Sequence, residues 1–437
     1  MGTLIMVAQL ILGLSILVFI HELGHYLAAR AFKIRVEKFY LFFDAWGFKL
    51  FKFKKGDTEY GIGWLPFGGY VKIAGMIDES MDKEAMKLPP QPWEFRSKPA
   101  WQRLIVMVAG VVMNLILGII IFTGVILHYE KEYLPTSQIS DGIYAYPSGR
   151  EIGFVTGDKI VKINGKTLER FKDVTSANVL MGSTITVDRN GKTMDITVPD
   201  TLYRIYNKKI RDFFIDAHNF AYKIDSIIPG MSADLAGLKK NDKVLSLDTN
   251  KVTTYGSFRE ILWNMKGKTC KMIALRNNDT VNLTLKVDST GYIGIFSKAP
   301  YQFKAYSLMA GIRYGIKDAM GNLWANVRGL GKIFTGKESA SESIQGPIGI
   351  MKIYGDIWDW HRFWVITGLI SVVLAFMNIL PIPALDGGHV IFTTWELITR
   401  RPVSQKILER AQVVGMVLLI ALMVFAVFND VWKNYIR

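Results

Sequence analysis

Four stretches of the chain are continuously apolar over a length close to the roughly 20 residues that a helix needs to cross a bilayer. The first runs from Leu4 to Ile20 and continues as a helix through His21 to Ala31. The second, Leu104 to Leu127, is broken only by Asn114 and small residues. Phe363 to Leu380 is the third; it holds Thr367, Ser371 and Asn378, and Pro381 ends it. Val413 to Phe428 is the fourth and needs Ala411 and Gln412 to reach spanning length. This pattern predicts four membrane helices. The first is expected to be a retained span rather than a signal peptide, because it has no basic flank before it and no small-residue cleavage site after it.

Between the second and third spans the pattern changes to short alternating apolar runs between turns, the period of strands. The run Gly153-Phe154-Val155-Thr156-Gly157-Asp158-Lys159-Ile160-Val161-Lys162-Ile163-Asn164 recurs 84 residues later as Gly237-Leu238-Lys239-Lys240-Asn241-Asp242-Lys243-Val244-Leu245-Ser246-Leu247-Asp248. Such an internal repeat predicts two tandem modules. Ahead of the second copy stands Ile227-Ile228-Pro229-Gly230-Met231-Ser232-Ala233-Asp234-Leu235-Ala236. This stretch resembles the PDZ family in its bacterial form, well in the second copy and partly in the first, where Ser148-Gly149-Arg150-Glu151-Ile152 replaces the Ala-rich turn. Gly291-Tyr292-Ile293-Gly294-Ile295 is similar to the carboxylate-binding loop of those domains, which take an extended peptide at a sheet edge.

Composition fits this picture. The 437 residues are 50% hydrophobic, with one cysteine, and carry 53 Lys and Arg against 38 Asp and Glu, a net charge of +15. A disordered chain and a disulfide scaffold are excluded. The basic residues crowd the span ends: Arg30, Lys33, Arg35, Lys38, Arg96, Lys98 and Arg103 lie between spans one and two, and Arg400, Arg401, Lys406 and Arg410 between three and four. Basic loops stay cytoplasmic, so both termini and the segment from Tyr129 to His361 are expected on the other side. The positive charge then reports topology, and no nucleic-acid partner is expected.

The chemistry begins at the end of span one with His21-Glu22-Leu23-Gly24-His25. Residues i and i+4 share a helix face, so both imidazoles can point at one ion while Glu22 reaches the water that the ion holds. Neutral imidazole suits Zn²⁺, and a catalytic zinc keeps three protein ligands with one position open for water. An ionisable residue in a spanning helix costs about 3 kcal/mol and is usually functional. The third ligand must also lie near a span. His128, His218 and His361 fall on the wrong side by the charge argument, which leaves Asp386 and His389, in Asn378-Ile379-Leu380-Pro381-Ile382-Pro383-Ala384-Leu385-Asp386-Gly387-Gly388-His389. Spacing does not choose between them.

A His-Glu-x-x-His in the first span, an Asn-x-x-Pro-x-Pro-x-Leu-Asp-Gly-Gly stretch in a later one and PDZ-like modules between them resemble the site-2 intramembrane zinc metalloproteases, in their bacterial regulator of sigma-E branch. Gly346-Pro347-Ile348-Gly349-Ile350 before span three is similar to that branch as well. The resemblance implies His21, His25 and Asp386 as zinc ligands and Glu22 as catalytic base. It implies that Asn378 helps hold substrate, with Pro381 beside it. Tyr60 to Ile73, two short apolar runs around Pro66-Phe67-Gly68-Gly69, resembles the membrane-associated β-hairpin of these enzymes and makes Gly68, Gly69 and Tyr70 candidate substrate contacts. Lys33 to Tyr40 and Phe48 to Lys54 mix aromatics with lysines, which suits a segment against membrane lipids.

The expected fold is therefore an α-helical polytopic membrane protein of four transmembrane helices and a membrane-associated β-hairpin, with two inserted α+β PDZ-like domains. The expected divisions are 1–128 and 361–437 for the membrane core, 129–215 and 216–300 for the PDZ-like domains, and 301–360 for an amphipathic helical linker. The implied partner is a single-pass transmembrane substrate, such as an anti-sigma factor, trimmed first by an upstream site-1 type protease. The implied location is the bacterial inner membrane, with the PDZ-like domains outside and the active site towards the cytoplasm. A non-catalytic scaffold or transporter holding a structural metal is the alternative, and Glu22 argues against it because a structural site has no use for a base beside its ligands.

Overall fold

The computed structural model describes every residue except 67, 77–88, 203–213, 219, 221, 299 and 434–437. The chain divides into two compact units, one of Met1–Lys131 with Tyr306–Arg437 and one of Glu132–Ala305.

The first unit is helical around one small sheet. Helix α1 (Gly2–Ala31) leads into strands β1 (Val36–Leu41), β2 (Lys49–Lys55), β3 (Thr58–Gly63) and β4 (Tyr70–Ile73), and then into α2 (Ala100–Val125). After the second unit come α3 (Leu308–Phe334), α4 (Pro347–Tyr354), α5 (Trp360–Ile379), α6 (Asp386–Thr399) and α7 (Gln405–Val431). Four helices are long and apolar enough to cross a membrane: α1, α2 with its continuation to Glu130, α5 and α7. They coincide with the four predicted spans, and the chain is a membrane protein.

Close approach of α1 and α2 is set by small residues. A methyl group on Gly24 of α1 would stand 2.6 Å from the Ala109 carbonyl oxygen of α2. In lipid, where apolar burial drives little association, backbones meet through such gaps. Helix α3 docks in the same way, with Gly311 against Leu127 in the continuation of α2, Gly315 against Thr123 of α2 itself, and Ala319 buried with Phe122 and Val372. These three are spaced i, i+4, i+8, one stripe of the helix. Its other face leaves Leu308, Met309, Ile312, Ile316, Trp324 and Phe334 exposed.

The sheet corrects one expectation. Strands β3 and β4 are the two apolar runs around the Pro-Phe-Gly-Gly turn, yet they do not pair with each other. The order is β2-β3-β1-β4, with β1 parallel to β3 and antiparallel to β4. The hairpin is formed instead by β2 and β3 around Gly56 and Asp57, with Gly56 at φ +62°. Two local facts account for this. The hydroxyl of Thr58 donates to the Val36 carbonyl at 2.8 Å, seating β1 against β3, and Tyr40 of β1 donates to Glu59 at 2.6 Å. Phe67 of the expected turn lies outside the described residues. The consequence is that β4 is an edge strand.

The second unit holds two four-stranded antiparallel sheets of the same order. One runs Lys192–Val198, Ser183–Arg189, Lys159–Ile163, Lys166–Thr167; the other runs Asp279–Lys286, Thr269–Arg276, Lys243–Leu247, Asn250–Lys251. Each closes its own core, with Phe154, Ile185 and Val187 in one and Leu238, Val244 and Met272 in the other. The sequence repeat also recurs as chemistry. Buried Asp158 takes the Arg189 guanidinium and buried Asp242 takes that of Arg276, and each arginine also donates to the glycine carbonyl that opens its repeat, Gly153 or Gly237.

Candidate metal centre

Helix α1 places His21 and His25 one turn apart and brings both rings against α2. Gly110 of α2 makes the room, because a methyl group there would strike the His25 imidazole and stand 2.7 Å from His21 Cε1. The third group arrives from the far end of the chain. Helix α5 ends at Ile379, the backbone turns through Leu380 to Leu385 with Ala384 at φ +80°, and Asp386 opens α6. Gly387 and Gly388 let that helix begin flush against the broken backbone: a methyl group on Gly387 would meet the Leu380 carbonyl, and one on Gly388 would lie 2.7 Å from Pro383 Cα. Irregular backbone at membrane depth is tolerated where it lines a cavity. It does so here.

His21 Nε2, His25 Nε2 and one oxygen of Asp386 converge. The two nitrogens are 3.2 Å apart, and Asp386 Oδ2 lies 3.2 Å from His21 Nε2 and 3.3 Å from His25 Nε2. Two ligands about 2.0–2.1 Å from a tetrahedral zinc stand roughly 3.3 Å from each other. The set fits such an ion, and its donors are the imidazole and carboxylate that zinc accepts. Asp386 Oδ2 is buried without a hydrogen-bond donor among the described residues. His21, His25 and Asp386 are the one group of this kind among them.

These residues face a cavity of about 720 Å³. Glu22, Gly68, Gly69 and Tyr70 line it, as do Asn378 and His389. Asn378 places its amide nitrogen 3.3 Å from His21 Nε2. His389 is in the wall but outside the group of three. Pro381 ends α5 and is not part of the lining. All four residues of β4 contribute to the wall, so the edge strand borders the cavity. His128 and His361 meet through the ring of Tyr129, at the opposite end of α5 from Asn378, which follows His361 by 17 residues, or roughly 25 Å of helix.

The sheet next to the cavity holds a polar cluster. Tyr70 donates to Asp44 at 2.8 Å and stacks on Tyr40 with ring centroids 5.4 Å apart. Glu59 accepts from the Tyr40 hydroxyl and from Lys49 at 2.9 Å, and these two bonds hold its carboxyl down to about 2. Burial, with the bond to Glu59, pushes the Tyr40 hydroxyl up to about 12.

The sequence profile of peptidase family M50 matches residues 9–422. The chain belongs to this family. The regulator of sigma-E protease RseP of Escherichia coli is 27% identical over 468 positions, covering 97% of each chain. Metalloprotease MmpA of Caulobacter vibrioides is 26% identical over 467 positions, 98% of this chain and 96% of its own. A protein of Treponema pallidum provisionally named a zinc metalloprotease is 26% identical over 445 positions, 96% of this chain and 97% of its own. The M50 match spans both membrane parts and the repeat between them, so it covers every residue of the cavity wall.

Two wall or near-wall residues of this M50 peptidase escaped the sequence reading. Gln412 of α7 is buried and lines the cavity; its signal was only that the fourth span needed it for length. Asn114 of α2 is fully buried and faces His21. It interrupts an apolar span and follows Gly110 by one turn, a spacing that could have placed it on the face turned to α1.

Proposed function

We propose that this M50 peptidase is an intramembrane zinc metalloprotease that cuts within or beside a transmembrane segment of a single-pass membrane protein. The observation that carries the reading is one cavity holding the His21, His25 and Asp386 triad beside Glu22, walled by membrane helices and by an edge strand. His21, His25 and Asp386 would hold the zinc, whose Lewis acidity would make an attacking water more acidic. Glu22 takes the proton from that attacking water and returns it to the leaving amine. Asn378, whose amide points to the same centre, holds the substrate backbone beside the triad.

A helical substrate hides its amides in its own hydrogen bonds. Among the described residues β4 stands at the edge of its sheet and offers a template on which such a segment can be held extended, with Gly68, Gly69 and Tyr70 at its start. Exposed Trp46, Phe48, Leu50, Phe51 and Phe53, interleaved with Lys52, Lys54 and Lys55, suit a sheet lying in the lipid interface. The basic residues at the span ends support a cytoplasmic depth for the cavity and an extracytoplasmic place for the second unit, in a bacterial inner membrane. The repeated strand order supports two PDZ-like modules. A cavity of about 110 Å³ between the helix Tyr255–Asn264 and the loop Gly291–Ile295 supports peptide binding by the second. The relation to RseP supports a substrate of the anti-sigma-factor kind, cut after an upstream site-1 type protease.

The test is Glu22→Gln in the purified full-length protein. Cleavage of a membrane-peptide substrate should fall by at least about 10²–10⁴, the size of a general-base effect, with zinc content unchanged. Cleavage that persists in Glu22→Gln would overturn the reading.

A further inference from the structure

We infer that Asn114 is the positioning residue for His21: its side-chain carbonyl accepts the Nδ1 proton of that ring, which fixes the ring's tautomer and turns the Nε2 lone pair into the triad. The inference rests on the reading that the triad holds zinc. Three observations carry it. Asn114 has no solvent exposure and lies in the middle of an apolar helix. Its amide nitrogen stands 3.2 Å from His21 Nδ1, and its amide oxygen is buried with no partner among the described residues. His21 Nε2, the ring's other nitrogen, is the one that converges with His25 and Asp386.

These facts conflict in one arrangement and agree in another. With the amide nitrogen donating to Nδ1, the neutral ring must carry its proton on Nε2, and that nitrogen has no lone pair for a metal. The Asn114 oxygen is then left buried and unpaired, stripped of water with no donor in its place. The two ends of a carboxamide have nearly the same shape, so half a turn of the side chain exchanges them. The oxygen then accepts from Nδ1–H and Nε2 is free for the ion. His25 already has the matching arrangement, with its Nδ1 2.8 Å from the Val106 carbonyl. A ligating imidazole generally donates its second N–H to such an acceptor. For His25 the backbone of α2 supplies it. The α2 backbone carbonyl of Asn114 is taken by the Ser371 hydroxyl at 2.7 Å, and only its side chain reaches His21.

The test measures zinc itself. Full-length wild type, Asn114→Leu and Asn114→Asp are purified in detergent, and zinc affinity is read by chelator competition, with the visible absorption of the cobalt-substituted protein as the signature of ligand geometry. Asn114→Leu should bind zinc 10–100-fold more weakly with an altered cobalt band, and Asn114→Asp, which keeps an acceptor, should recover most of the affinity. Wild-type affinity in Asn114→Leu with an unchanged band overturns the inference. If Asn114→Leu does not fold, nitrogen chemical shifts of ¹⁵N-histidine-labelled, zinc-loaded wild type decide: Nε2 coordinated with a protonated, hydrogen-bonded Nδ1 on His21 supports it, and coordination through Nδ1 overturns it. A wild-type protein that binds no zinc would instead overturn the zinc reading on which the inference stands.

Discussion

At the scale of single residues, the centre depends on what is missing as much as on what is present. Gly110 contributes no atom to the triad, yet any side chain there occupies the space of the two imidazoles. Gly110→Ala should therefore remove most bound zinc while the helical circular dichroism stays close to wild type; metal analysis of the purified variant checks this. Asp386→Ala should lose zinc for a different reason, the loss of one of three donors. The two variants separate in the cobalt spectrum, since Gly110→Ala displaces donors and Asp386→Ala deletes one. His21 and His25 were legible from spacing alone because four residues bring a helix back to the same face. Asn114 was not, because an isolated asparagine in an apolar run carries no record of which neighbouring helix it faces.

At the scale of elements, the sheet β1–β4 and helix α3 each make a prediction of their own. Glu59 ties β3 to Tyr40 of β1 and to Lys49 of β2, and its carboxyl is held at about 2, below the roughly 4.3 of an unfolded glutamate. A depressed carboxyl stabilises the fold fully above its unfolded pKa, and that contribution is lost as pH falls from about 4.3 through 2. Acid unfolding of the wild type should accordingly steepen below pH 4, and Glu59→Gln should lower stability at neutral pH while flattening that dependence. Thermal melts between pH 3 and 7 in detergent measure both. Helix α3 depends on its small-residue stripe, and Gly315→Leu, placed against Thr123, should lower Tm by several degrees without changing zinc content. The expected hairpin shows where pattern reading of elements ends. Two apolar runs around a Gly-Gly turn satisfy the local rule, but β1, from earlier in the chain, takes the place between them, and pairing between distant strands leaves no trace in local alternation.

At the scale of the whole molecule, the second unit contributes nothing to the triad. Replacing Glu132–Ala305 by a short flexible linker should leave zinc bound to the remaining chain. If the second unit admits only trimmed substrates, the same deletion should also release cleavage of an untrimmed one, measured by gel shift of both substrate forms. Within the second unit, Asp242→Ala removes the buried partner of Arg276 and of the Lys239 amide, and Asp158→Ala does the same in the first copy. Each should lower the unit's Tm, while cleavage of a trimmed substrate persists.

Sequence by itself determined the four spans, the repeat and the His-Glu-x-x-His pair, because each rests on a period or spacing that is local: continuous apolarity for lipid, recurrence for tandem modules, one turn for a shared helix face. With the resemblance to site-2 proteases it also named Asp386 over His389. Only the tertiary structure decided what meets what. It brought residues more than 350 positions apart within 3.3 Å, made β4 an edge strand beside them and turned Asn114 towards His21. Those contacts depend on how helices pack, and packing is set by the shapes of opposing surfaces that lie far apart along the chain.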